Sequence, residues 1–366
     1  MIGESRSAPY GGAMSAAEIE RELARLRMNE DGTLGARASV LNLIVVTNEE
    51  YAAGVTRVVS ELSESYPSRV VLLISDPDEK EPNLEVGLSA FCGLRRGMPG
   101  RGQVCAEQIK IHVEGPPARH LESLAGPLLI PDLPVFLWYP NGEVPRSPEC
   151  DGMASLADRL ILDSGAADDC EASLRAVASL AVGESVPAVG DLQWAALSSW
   201  RALVADLFAP PERDRELLGV RRAQIRHGRA GECQALLLVG WLSNALGWRP
   251  ESVSRVEEGR AFRFAGPSGD VSVELNPGPP DAALDWVCLF SEEFTFRVQV
   301  SPREKHVGAR CTVTRANELV GERKVNLGSS GLSVLLGEEF RLPGRDETYE
   351  SALRRAVEML ELWLEL

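Results

Sequence analysis

Three short stretches concentrate the side chains that could do chemistry. The first, GLRRGMPGRG (Gly93 to Gly102), sets Arg95, Arg96 and Arg101 among glycines. Glycine lets a backbone approach an anion, and arginine adds two-pronged contacts, so a phosphate or an acidic partner patch would suit it. The plainer reading is a hairpin loop that its arginines keep soluble. The second is Cys92 and Cys105, which bracket that loop. They are either small buried hydrophobes or a redox pair. The third is Asp163 with Ser164 at the end of RLILDS, a hydrolase-like pair on paper but more often a cap or turn. His112, His120, His227 and His306 stand beside no nucleophile. No GxSxG, HExxH or Walker A pattern occurs, and no cysteines or histidines have zinc spacing. The expectation is a chain with no catalytic residue, no metal and no cofactor.

The elements that must position these residues follow from periodicity. VLNLIVVT (40–47) and RVVLLIS (69–75) are continuous apolar runs, as expected of strands covered on both faces. Between them Val55, Val58, Val59 and Leu62 fall at helical spacing, which makes a βαβ unit with a parallel strand pair. No GxGxxG follows the first strand. Its place is taken by NEEYAAG, whose carboxylates repel a phosphate at the helix start, so the dinucleotide-binding reading loses its support. Leu84 to Leu94 and Gln103 to Val113 alternate as two strands of a hairpin. If Leu94 pairs with Gln103, antiparallel register sets Cys92 opposite Cys105, with Cβ atoms ~4.5–5.5 Å apart. PLLIPDLPVFLWYP (127–140) is an extended connector locked by prolines, with Pro134 opening a strand that carries Trp138 and Tyr139. Those two are core aromatics or interface anchors.

Before this lies a tail of about a dozen residues read as disordered, then a helix whose Ser15 and Glu18 have capping-box spacing. Beyond VPAVG, Asp191 can cap a helix carrying Trp194 and Trp200. ALLLVGWL is a buried helix, several short strands suggest an antiparallel sheet, and two helices close the chain. The expected architecture is an α/β N-terminal domain with a mostly parallel sheet, an inserted β-hairpin and helices on both faces. An α+β C-terminal domain with an antiparallel sheet follows. The expected bounds are a tail and helix over 1–35 and domains over 36–185 and 190–366.

A formal net charge of -16 argues against nucleic acid and against anionic membrane surfaces. No apolar leader or spanning run is seen, so a cytoplasmic protein is expected. Seven scattered cysteines make no disulfide framework, and Cys150, Cys170, Cys233, Cys288 and Cys311 have no obvious partners.

Several of these stretches together resemble the OpcA family, the glucose-6-phosphate dehydrogenase assembly proteins of bacteria. They are NLIVV, YPSRVVLL, VCAEQIKIHVEG, HLESLAGPLLIPDLPVFLWYP, RLILDS, DLQWAALSSWRALVADLF and LLLVGWLSNALGW, in that order. LWYP stands where two tryptophans would be expected, and Ala196 where an arginine would be. The resemblance implies a non-catalytic partner, an allosteric activator that promotes the active oligomer of glucose-6-phosphate dehydrogenase in the oxidative pentose phosphate pathway. In cyanobacterial members of the family the effect is tied to thiol redox state through thioredoxin, and the resemblance does not say which cysteines would serve it here. Arg95, Arg96, Arg101, Trp138 and Tyr139 are the candidate partner or anion contacts. The alternative is a sensor of a sugar phosphate or nucleotide, bound in the crevice of the α/β domain.

Overall fold

The computed structural model describes the chain except for residues 1–3, 11, 29–35, 38, 64, 95–102, 143–151, 182–186, 257–258, 281, 303–306, 328–330 and 365–366. The expected arginine loop (Arg95, Arg96, Arg101), Cys150 and His306 lie outside the described residues, as does the side chain of Cys92.

The described elements, in chain order, are β1 (Glu4–Tyr10), α1 (Ala16–Leu26), β2 (Ala36–Arg37), β3 (Leu41–Thr47), α2 (Glu49–Ser63), β4 (Ser68–Asp76), β5 (Asn83–Leu94), β6 (Gln103–Glu114), α3 (Leu121–Ala125), β7 (Val135–Trp138), β8 (Arg159–Leu162), α4 (Cys170–Leu180), β9 (Ala188–Asp191), α5 (Leu192–Ala196), α6 (Ser198–Leu207), α7 (Asp214–Leu218), β10 (Arg222–His227), α8 (Glu232–Ala245), β11 (Arg249–Val256), β12 (Gly259–Gly266), β13 (Gly269–Pro277), β14 (Leu284–Phe290), β15 (Phe294–Pro302), β16 (Val307–Arg315), β17 (Glu318–Asn326), α9 (Leu332–Glu339) and α10 (Glu347–Leu364).

The first sheet runs β1-β5-β6-β4-β3-β7-β8-β9. β6, β4, β3, β7 and β8 are parallel, β5 is the antiparallel arm of the β5–β6 hairpin, and β1 adds antiparallel to β5. This is the expected α/β unit with its inserted hairpin. Without β1, β2 and β5 the order reads 3-2-1-4-5-6, the doubly wound order of dinucleotide-binding sheets, whose crossovers fall on opposite faces either side of the switch. β3 and β4 are buried nearly end to end. α2 lays Ala52, Val55, Val59 and Leu62 on them every three to four residues. The expected disorder before the first helix is corrected for Glu4–Tyr10. The free edge of β5 offers that segment a ladder of backbone partners, which composition alone does not reveal.

The second sheet runs β11-β12-β13-β10-β14-β15-β16-β17. It is antiparallel as expected, save that β10 and β13 pair in parallel.

The chain makes two compact units, each discontinuous in sequence, unlike the contiguous bounds expected. One comprises Met1–Asp163, Gly183–Gly190 and Leu332–Arg345, and the other Ser164–Val182, Asp191–Gly331 and Asp346–Leu366. In the first unit α9 returns from the far end of the chain. Phe340, just after it, meets Tyr66 and Phe136, with ring centroids 5.6 and 5.0 Å apart. Arg159 of β8 holds Glu339 in a buried ion pair at 2.7 Å.

Candidate functional site

The hairpin register places Cys92 directly opposite Cys105. Cys105 is fully buried with Ala90, under Leu26 of α1, and it is disulfide-bonded. What seats α1 there is a charge network. Arg69 of β4, with no exposed side-chain surface, gives Nε and Nη2 to Glu107 of β6 at 2.9 and 2.6 Å, and Nη1 to Glu20 of α1 at 2.7 Å and to the Leu128 carbonyl at 2.8 Å. Arg27 closes on the other Glu107 oxygen at 2.9 Å. Burial by itself would lower the Arg69 pKa, but the Glu20 and Glu107 carboxylates outweigh it and hold the group above its ordinary value. Two buried charges are tolerable here because each is forked to an opposite charge. At the α1 start Ser15 and Glu18 form the expected capping box.

The proline-framed stretch is built for position. Asn42 of β3, fully buried, accepts from the Ile130 N–H at 2.8 Å and donates to the Ile130 carbonyl at 2.9 Å. A side-chain amide thus completes a backbone that its prolines keep out of the ladder. Asp132 makes the bend with φ 64°, a left-handed conformation that Asp tolerates. β7 then enters beside β3. Trp138 is 0% exposed and its indole N–H finds no hydrogen-bond partner among the described residues, so the fold withdraws this expected partner contact from the surface. Tyr139 is partly exposed.

Where a dinucleotide-binding sheet would hold its pyrophosphate, between the ends of β3 and β7, this chain has other furniture. Thr47 Oγ1 donates to Asn141 Oδ1 at 3.0 Å. The start of α2 is capped by Asn48, whose Oδ1 accepts from the Tyr51 N–H at 3.3 Å, and Glu49 and Glu50 fill its first turn. Glu49 also reaches His112 Nδ1 at 3.4 Å. The helix dipole that would draw a phosphate is occupied by carboxylates. Among the described residues no three His, Cys, Asp or Glu side chains gather as metal ligands.

His120 precedes α3, and His227 ends β10. Ser164 is buried, its N–H donating to Asp191 Oδ1 at 3.1 Å, so it is no accessible nucleophile beside Asp163. Asp191 does cap α5, and sits in a buried net that sequence reasoning reached only in part. Tyr349 Oη donates to Asp191 Oδ2 at 3.3 Å, Trp194 Nε1 to Asp346 at 2.9 Å, and the Arg201 guanidinium lies 3.3 Å from the Trp194 ring centre. The Trp-Arg stretch therefore ties α5 and α6 to α10. In the Gly-Trp-Leu helix, Gly240 lies against Ala352 of α10 so closely that a Cβ would overlap its carbonyl oxygen.

The cysteines need one correction. Cys170 and Cys233, read as partnerless, form a disulfide with Cα atoms 5.6 Å apart. Sixty-three residues separate them in sequence, and only the packing of α4 on α8 brings their first turns together. Cys288 and Cys311 are free and buried. Burial pushes the Cys288 thiol up to about 11, against a smaller pull from Arg297 and Arg222.

Two family models match, described as the glucose-6-phosphate dehydrogenase subunit N-terminal domain over residues 59–179 and C-terminal domain over residues 187–353. Relatives carrying the name OxPP cycle protein OpcA include one from Synechocystis sp., 24% identical over 82% of this chain and 65% of its own length. Another, from Nostoc punctiforme, is 28% identical over 56% of this chain and 43% of its own. The matches thus span less than two thirds of those relatives. Among solved structures, a 3-ketoreductase from Actinomadura kijaniata is 12% identical with a TM-score of 0.48, covering 86% of this chain and 94% of its own. An aldose-aldose oxidoreductase from Caulobacter crescentus is 13% identical with a TM-score of 0.45, covering 89% and 98%. Those two likenesses are too loose to speak for activity. The two domain matches, end to end, and the motifs whose packing is described above place the chain plainly: it belongs to the OpcA family.

Proposed function

We propose that this chain is a non-catalytic assembly factor of glucose-6-phosphate dehydrogenase that activates the enzyme by binding its active oligomer more tightly than its other states. Activation by binding requires only such differential affinity. The observation that carries the reading is a dinucleotide-type strand order in which carboxylates and an asparagine cap stand where pyrophosphate would bind, in a chain matched by two dehydrogenase-subunit domains. The Cys92–Cys105 hairpin is the proposed redox-sensitive element, with thioredoxin its proposed reductant. The loop of Arg95, Arg96 and Arg101, with Tyr139, is a proposed contact, and the compartment is the cytoplasm.

The test mixes the purified protein with the glucose-6-phosphate dehydrogenase of the same organism. Mass is read by light scattering after size exclusion, and NADPH formation is followed in parallel. A larger complex with raised activity is expected. Separate peaks with unchanged activity, in oxidised and reduced samples alike, would overturn the reading.

A further inference from the structure

The antiparallel sheet has two unlike faces. Ala223 and Ile225 of β10, Val287 and Leu289 of β14, Phe296 and Val298 of β15 are buried. The alternate residues, apart from the buried Cys288, reach solvent wholly or in part and line up in rows across the strands. Arg222 pairs with Phe290 and Phe290 with Thr295. Gln224 pairs with Cys288 and Cys288 with Arg297. Arg226 pairs with Trp286, Trp286 with Gln299, and Gln299 with Arg310. Each row carries an arginine.

These arginines are not equivalent. Arg226 is matched by Asp285 at 3.4 Å and Arg310 by Glu322 at 3.1 Å. Arg222 and Arg297 have no carboxylate among the described residues. Instead the Arg222 guanidinium lies 4.1 Å from the ring centre of Phe290, and that of Arg297 lies 4.9 Å from the ring centre of Trp286. Arg297 Nε is buried with no hydrogen-bond partner among the described residues. Stacking on a ring holds a guanidinium's plane in place and leaves its edge free for a carboxylate. Aromatic-backed arginines near the middle of a broad face are the composition of an interface centre.

We infer that this face, centred on Arg222, Arg297, Trp286 and Phe290, is a docking surface for an acidic patch of a protein partner. Resting on the proposed function, we take that partner to be the dehydrogenase. Charge decides the class of occupant. Two uncompensated cations on a chain of net charge -16 mark a local reversal that attracts carboxylates. Face-to-face pairing with a second copy would set this cationic centre against its own kind.

The experiment measures binding of the dehydrogenase to the full chain and to Arg222→Glu, Arg297→Glu and Arg297→Gln, at low and high salt. Arg119→Glu, an exposed site in the other unit, is the charge-matched control. Each glutamate variant should weaken binding by about tenfold or more and flatten its salt dependence, while the control stays within about twofold. Amides of β14 and β15 should gain exchange protection in the wild-type complex, a readout that stands if a variant fails to fold. Wild-type binding that the variants leave unchanged, with no protection of β14 and β15, overturns the docking surface alone. No complex even for the wild type overturns the dehydrogenase reading and the surface assignment with it. A dimer of the chain alone that Arg297→Glu breaks would make the occupant a second copy and overturn the inference.

Discussion

Arg159 and Glu339 meet as a buried ion pair 180 residues apart in sequence, with Nε and Nη2 of the arginine 2.9 and 2.7 Å from one carboxylate oxygen. The third nitrogen donates to the Gly344 carbonyl at 2.6 Å. Side-chain exposures of 2% and 4% leave water no way to take over either charge. Glu339→Ala should therefore cost about 3–5 kcal/mol, because it strands a desolvated guanidinium. Gly190→Ala should destabilise by the same route, since a Cβ there would overlap Glu339 Oε2. Denaturant midpoints of the two variants check this, and a midpoint equal to wild type for Glu339→Ala would contradict it.

At Gly240 the backbone of α8 runs tight against that of α10. Gly240→Ala should lower stability by about 1–3 kcal/mol through overpacking, even though alanine is the better helix former. A calorimetric melting temperature at or above wild type would show that the two helices can slide apart freely.

Asn42 substitutes for a missing strand partner at Ile130. Asn42→Leu, close in volume, removes both bonds and leaves a part-buried N–H and C=O without that partner, at about 1–3 kcal/mol. Amide exchange at Ile130 should accelerate in the variant. Unaltered protection there would mean that another group holds the segment.

The disulfide between Cys170 and Cys233 closes a loop of 63 residues, worth about 4 kcal/mol in the chain-entropy account. Cys170→Ser should lose stability of that order against oxidised wild type, and little against reduced wild type. Equal loss against both would point to packing instead.

Cys288 should resist alkylation at pH 8 in the folded protein and react on unfolding, as resolved by mass spectrometry of each cysteine. Its thiol keeps its proton up to about 11, whereas an exposed one loses it near 9.0. Between those values the folded state binds the extra proton, so this group's contribution to stability falls as pH rises through the window. Fast labelling at pH 8 would refute the burial argument.

Much of this was legible from local pattern. Apolar runs gave β3 and β4, helical spacing gave α2, and alternation gave the hairpin and its register, because each depends on neighbours in sequence. Ser15 with Glu18, and Asp191, announced their caps for the same reason. The partners of Asn42, Arg159 and Cys170 were not legible, since they are set by which elements meet across 63 to 180 residues. The strand at Glu4–Tyr10 was hidden too, its order coming from the edge of β5 rather than from its own residues. For the candidate site, sequence marked Trp138 and Tyr139 as a pair, but only packing separates the buried ring from the partly exposed one. Arg222 and Arg297 went unremarked because stacking across strands has no signature along one strand.

The return of α9 to the first unit also has a meaning for synthesis. While the ribosome makes Asp191 to Gly331, the nascent α/β unit has no Phe340 to cover Tyr66 and Phe136, and no Glu339 to answer Arg159. At about 5–20 residues per second that wait is on the order of ten seconds. During that interval the uncovered rings and the stranded guanidinium are what a chaperone would meet, so maturation of the first-made half is timed by the arrival of α9 and Phe340.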